Sequence, residues 1–183
     1  MSAGHGHVDH HNGNKGIALL IAVLALVLAL AETLGKGAQT AALAANIEAS
    51  NLWAFFQAKT IRQTTLRTAA EQTEIANASE AARKQVETWR KTAQRYQSEP
   101  ETGEGRDQLA ARAKEQEKKR EVSMAAYHHY ELASAALRIA IVMASASIIT
   151  AMAALVWIAA GLGVVGVAFC VIGFLFPTAV HLF

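Results

Sequence analysis

The residues best suited to chemistry stand near the N-terminus, in the run His5-Gly-His7-Val-Asp9-His10-His11. Imidazole nitrogens and a carboxylate suit zinc, nickel or copper, so His5, His7, Asp9, His10 and His11 form a candidate metal-binding set. Residues 1–16 are rich in Gly, His and Asn and have no periodicity, which predicts a disordered tail. Such a tail has no surrounding shell to fix its ligands, so a metal would be held loosely and exchange freely. An incidental polar tail fits the same residues. A second group is Tyr127-His128-His129-Tyr130. Four consecutive helical side chains point in four directions, which favours packing over a shared site. A third group, Glu32, Asn46 and Glu48, interrupts stretches that are otherwise apolar or alanine-rich. Turned inward around a wet axis, these three would line a polar path. There is no Gly-rich phosphate loop, no nucleophile beside a matching base and no carboxylate pair in an apolar setting. The sequence predicts no enzyme and no tightly held cofactor.

The surrounding composition decides what positions these groups. Of 183 residues, 52% are hydrophobic, and the charges cluster between Lys59 and Arg138. From Ile139 to Phe183 there is no Asp, Glu, Lys or Arg. That asymmetry predicts a charged, water-facing middle between membrane-spanning ends. A net charge of +2 is too small to imply nucleic acid. Cys170 stands alone, which excludes an internal disulfide. With only two prolines, Pro100 and Pro177, and no β-branched alternation, the chain reads as all-α.

Taken in order, the elements follow. Ile17–Ala31 is an unbroken run of Leu, Ile, Val and Ala, and residues 17–35 supply the roughly 20 residues that a crossing needs. Ala29-Leu30-Ala31 also fits a leader-cleavage site, an alternative weakened by Lys15 being the one side-chain cation before it. Gly35-Lys36-Gly37 predicts a break. Residues 36–58 form an amphipathic, alanine-rich helix with a seam at Ala38, Ala42, Ala45, Ala49, Leu52 and Phe56, spaced by four and three. Its polar residues make a lipid-facing crossing expensive, which puts this helix in the interface or against another helix. Residues 59–138 read as a soluble coiled-coil hairpin with its turn at 98–105, where Pro100 stops the helix and two glycines allow reversal. Two further spans follow at 139–160 and 161–183, joined at Gly161-Leu162-Gly163. The third carries the small-residue stripe Gly163, Gly166, Cys170, Gly173, which predicts close helix packing.

Trp53, Phe55 and Phe56 followed by Lys59 and Arg62 have the composition of a bilayer interface, with rings at the headgroups and cations in water. Phe56 falls on the seam and is the ring expected to pack. Lys36, Lys59, Arg62 and Arg138 flank the charged side against Lys15 on the other, so the hairpin is expected in the cytoplasm.

The stretch Ala49-Ser-Asn-Leu-Trp-Ala-Phe-Phe-Gln-Ala-Lys-Thr-Ile-Arg62 resembles a bacterial inner-membrane family known only as a domain of unknown function, number 4337. The resemblance implies a histidine-rich start, one early span, a helical hairpin and terminal spans. It implies no activity, so no functional residue transfers. Phe55-Phe56 stands where tyrosines are expected in many members. The expectation is then a self-associating membrane scaffold with interface residues Ala45, Ala49, Leu52, Trp53 and Phe56. Its partners are the lipid bilayer, further copies of itself and a cytoplasmic protein at the hairpin, not nucleic acid. A channel or transporter subunit is the alternative.

Overall fold

The computed structural model describes residues 10–76 and 79–180; the side chains of 10–14 lie outside that description. Four helices make up the described chain: α1 (His10–Ala76), α2 (Glu80–Gln97), α3 (Arg106–Thr150) and α4 (Ala153–Leu175). No strand occurs among the described residues. Three helices, α1, α3 and α4, are long and apolar enough to cross a membrane. The all-α membrane architecture expected from composition is what the chain adopts.

Several boundaries differ from those the sequence predicts. α1 already begins at His10, inside the expected tail, and it runs unbroken through Gly35-Lys36-Gly37. Residues 17–35 and 36–58 are therefore one helix. Gly35 is used for closeness, because a Cβ there would stand 3.3 Å from that of Tyr130.

The antiparallel helical pairing is present, but it is α2, not the segment after 105, that first runs back along α1. Glu74 pairs with Arg90, and Gln63 donates to Ala93, so α2 runs back along α1. Ser79 caps α2 by accepting from the Ala82 N–H at 3.2 Å. The stretch 98–105 is a loop and not the reversal: α3 continues in the direction of α2. Trp53 meets Glu117 and Asn46 meets Arg120, again antiparallel to α1.

The turn between the last two spans also moves, to Ala151–Met152, and Gly161 and Gly163 lie inside α4. Ala151 takes a positive φ of 54°.

The chain divides into two compact units, one formed by residues through Ala41 with those from Val122 onward, the other by Ala42–Glu121. In the first, α1, α3 and α4 form an apolar bundle around Leu24, Ala31, Ala133, Leu137 and Ala140. α4 returns along α3 so closely that a Cβ on Gly166 would sit 2.7 Å from Leu137 Cγ. Gly163 faces Leu24, and Gly173 faces His129 and Tyr130. Leu26, Val142, Trp157 and Phe174 point outward. In the second unit the core is small, with Leu52, Leu109 and Ala113 as its buried centre and Trp53 and Phe56 packed on it.

Candidate functional site

The aromatic stretch at 53–63 does not stand apart as a collar. It fastens α1 to the loop and to the start of α3 within the second unit. The Trp53 indole N–H donates to Glu117 at 2.8 Å, and its ring meets Phe56 edge-on at 5.4 Å. Arg106 lies over the Phe56 ring, 4.8 Å from its centre. Lys59, expected in water, is only 4% exposed. Its ammonium lies 3.5 Å from Glu99 and 3.6 Å from Glu104. The rings of Phe55 and Tyr96 cover it at 5.2 and 5.6 Å. The physical reason is local supply: the loop brings two carboxylates and α2 brings Tyr96, so a desolvated ammonium is compensated on each side.

One turn along α1, buried Gln63 donates to the Ala93 carbonyl at 2.9 Å and to Gln97 at 3.2 Å, and accepts from Arg106. Arg106 also donates to Gln97 at 3.0 Å, and Gln97 donates to Asp107 at 2.7 Å. Charge-assisted bonds of this kind are short and strong. Sequence reasoning missed Gln63, Gln97 and Arg106. Gln63 alone carried a signal, standing at the seam's spacing beyond Phe56 and Lys59; Gln97 and Arg106 carried none.

Of the expected interface residues, Ala45, Ala49 and Leu52 are buried by the chain itself, and Trp53 and Phe56 make the contacts just given. The seam is covered from within one chain. Phe56 packs as its spacing indicates, while Phe55 is 37% exposed.

The three residues expected to line a polar path each meet an arginine. Glu32 pairs with Arg138 at 2.6 Å in the first unit. In the second, Asn46 accepts from Arg120 at 3.2 Å, and Glu48 stands 4.0 Å from Arg112. Each polar residue is held by its own arginine on α3, because α3 presents cations along the side that faces α1.

The Tyr127–Tyr130 segment divides its side chains as consecutive helical positions must. Tyr127 and Tyr130 line an open groove of about 500 Å³ with Glu32, Lys36, Glu131 and Arg138. His129 turns the other way, 1% exposed, with Nε2 3.2 Å from the Pro177 carbonyl oxygen and its ring stacked 6.2 Å from Phe169. His128 lies 3.8 Å from Glu131. The expected metal set of His5, His7, Asp9, His10 and His11 lies outside the described residues, for the last two in their side chains. Among the described residues no cluster of His, Cys, Asp and Glu could hold a metal ion.

Four helices, three of them able to cross a bilayer, and a charged antiparallel pairing define an all-helical membrane protein. The chain belongs to the family described as a domain of unknown function, DUF4337, whose model matches residues 13–176. No curated protein and no solved structure matches the chain.

Proposed function

We propose that this is a non-catalytic scaffold of the bacterial inner membrane that self-associates and holds a charged helical arm toward a cytoplasmic protein partner. One observation carries the reading: the buried Lys59 and the Gln63–Arg106–Gln97 network lock α1, α2 and α3 into a fixed arm. Polar residues are spent on holding helices together, and the remaining charges of the arm form an outer surface suited to a protein partner. Lys36 and Arg138, close to the span ends on the arm side, against Lys15 on the other, support a cytoplasmic arm. With the Ala45–Leu52 seam covered by α3, self-association in this reading uses the outward apolar faces of the spans. A channel would need Glu32, Asn46 and Glu48 free to face a common axis, and each is instead paired within the chain.

Impermeant thiol labelling in a Cys170→Ser background tests the orientation. Ser2→Cys should label in intact spheroplasts and Thr102→Cys only after permeabilisation. Light scattering of the detergent-extracted protein should give a multiple of 19.5 kDa. A monomer would remove self-association, and reversed labelling would put the arm outside.

A further inference from the structure

The groove between α1 and α3 in the first unit has features that packing alone does not require. It carries both signs of charge in equal number, Lys36 and Arg138 against Glu32 and Glu131, with Tyr127 and Tyr130 beside them. Arg138 gives one guanidinium nitrogen to Glu32 at 2.6 Å and keeps its other donors free of any carboxylate among the described residues. Lys36, one turn beyond Glu32 on the same face of α1, has no ion-pair partner among the described residues.

α4 packs against one wall of the groove. Gly173, in the last turn of that apolar helix, packs on Tyr130, where a Cβ would be 3.2 Å from the ring. Tyr130 and Glu131 therefore stand beside the last turn of α4, while α1 and α3 continue past them, and an apolar helix ending among charged residues is what the headgroup level of a bilayer calls for. Arg138, two turns further along α3, is the last charged residue before the uncharged stretch that begins at Ile139, so the groove straddles the border of the span.

We propose that this groove binds the headgroup of an aminophospholipid, one carrying a phosphate and a primary ammonium, as in phosphatidylethanolamine. Lys36 and the free edge of the Arg138 guanidinium take the phosphate, which suits a planar fork and an ammonium side by side. Glu131 accepts from the lipid ammonium, with the Tyr127 ring beside it. A groove of zero formal charge gives an anionic lipid no advantage. A trimethylammonium has no N–H for Glu131, so a choline headgroup is the poorer fit. A volume of about 500 Å³ is in the range of small-ligand sites.

This inference rests on the membrane placement above, and the experiment separates the two. Full-length protein is reconstituted in nanodiscs of equal parts phosphatidylethanolamine, phosphatidylglycerol and phosphatidylcholine. Co-purifying lipid is then read by native mass spectrometry. Phosphatidylethanolamine should be retained about tenfold over either competitor, a difference of about 1.4 kcal/mol. Lys36→Gln should lower total retained lipid, and Glu131→Gln should erase the preference over phosphatidylcholine. Glu131→Gln alters the contact with His128, but neither substitution removes a carboxylate–arginine pair, and circular dichroism should show the helix content unchanged. Lys84→Gln, on α2, should change nothing. Equal retention of all three lipids, retention led by phosphatidylglycerol, or a preference indifferent to Glu131→Gln would each overturn the proposal. So would displacement of the lipid by equimolar water-soluble phosphoethanolamine, which would make the free headgroup the ligand. Failure to enter nanodiscs at all would overturn the membrane placement beneath it.

Discussion

Gly166 in the bundle and Lys59 in the arm do the same mechanical job with opposite chemistry. In the bundle, helices are held by what is missing: glycines at 163, 166 and 173 let α4 reach the side chains of α1 and α3. In the arm, helices are held by what is present, namely ion pairs and amide bonds buried beside Trp53 and Phe56. With the bundle in a membrane and the arm in water, as proposed above, the difference follows from the solvent. Lipid tails are as apolar as leucine, so contact in a membrane comes from close approach of backbones. In water the hydrophobic drive operates, yet the arm has little to bury, with Leu52, Leu109 and Ala113 as its centre. Specific polar contacts fix what so small a core leaves free.

The largest test of that contrast is Gly166→Leu. Its first carbon would already meet Leu137 and stand 3.2 Å from the Ala133 carbonyl, so the bundle must open. The expected loss is about 3 kcal/mol or more, read as a fall in thermal midpoint in nanodiscs. A tolerated leucine would mean that close approach does not hold α4. Next is Gln63→Leu, which strips an acceptor from Arg106 and leaves the Ala93 carbonyl without its side-chain donor. About 2 kcal/mol should be lost, followed by circular dichroism during urea unfolding. Adding Arg106→Leu should restore part of the loss, since the second polar partner is then gone too.

Ala151→Gly should act in the other direction. A left-handed alanine costs about 1 kcal/mol, so the glycine variant should melt slightly higher with the bundle unchanged. The smallest effect is one of pH and belongs to the arm. Hydrogen bonding and charge from Lys91 hold Glu87 below its usual 4.5, and Lys119 does the same for Glu115. With folded values below unfolded ones, the two carboxylates stabilise the arm above about pH 4.5, and that contribution fades as pH falls through the folded values. A thermal midpoint that declines slightly below pH 4.5 should become flatter in Glu87→Gln/Glu115→Gln.

Residue patterning made the helices legible, whereas punctuation misled. The spacing of Ala45, Ala49, Leu52 and Phe56 marks a buried face, and that face is buried. Spacing does not say by what, and the cover is α3 of the same chain. Pro100 with Gly103 and Gly105 marks a helix end strongly, so it reads as the reversal, while the start of α2, which already runs back along α1, is signalled only by Ser79 as a cap. Glycine is ambiguous for a physical reason: lacking Cβ, it serves a turn and a tight helix contact equally well. At Gly163 and Gly35 the contact prevails. Lys59 was misplaced because an ammonium near aromatics resembles a membrane border. Only the distant Glu99, Glu104 and Tyr96 show that it is enclosed.

The loop at 98–105 gives Glu99 and Glu104 to Lys59, but it joins two helices that already lie along α1 in the same direction, so its unbroken backbone is not what orients them. A chain severed between Thr102 and Gly103 would keep α2 on α1 through Glu74–Arg90 and Gln63–Ala93. It would keep α3 on α1 through Trp53–Glu117 and Glu32–Arg138. The two pieces, produced from separate messages in one cell, should therefore find each other and assemble as the intact protein does. That makes this loop the natural seam for a split reporter.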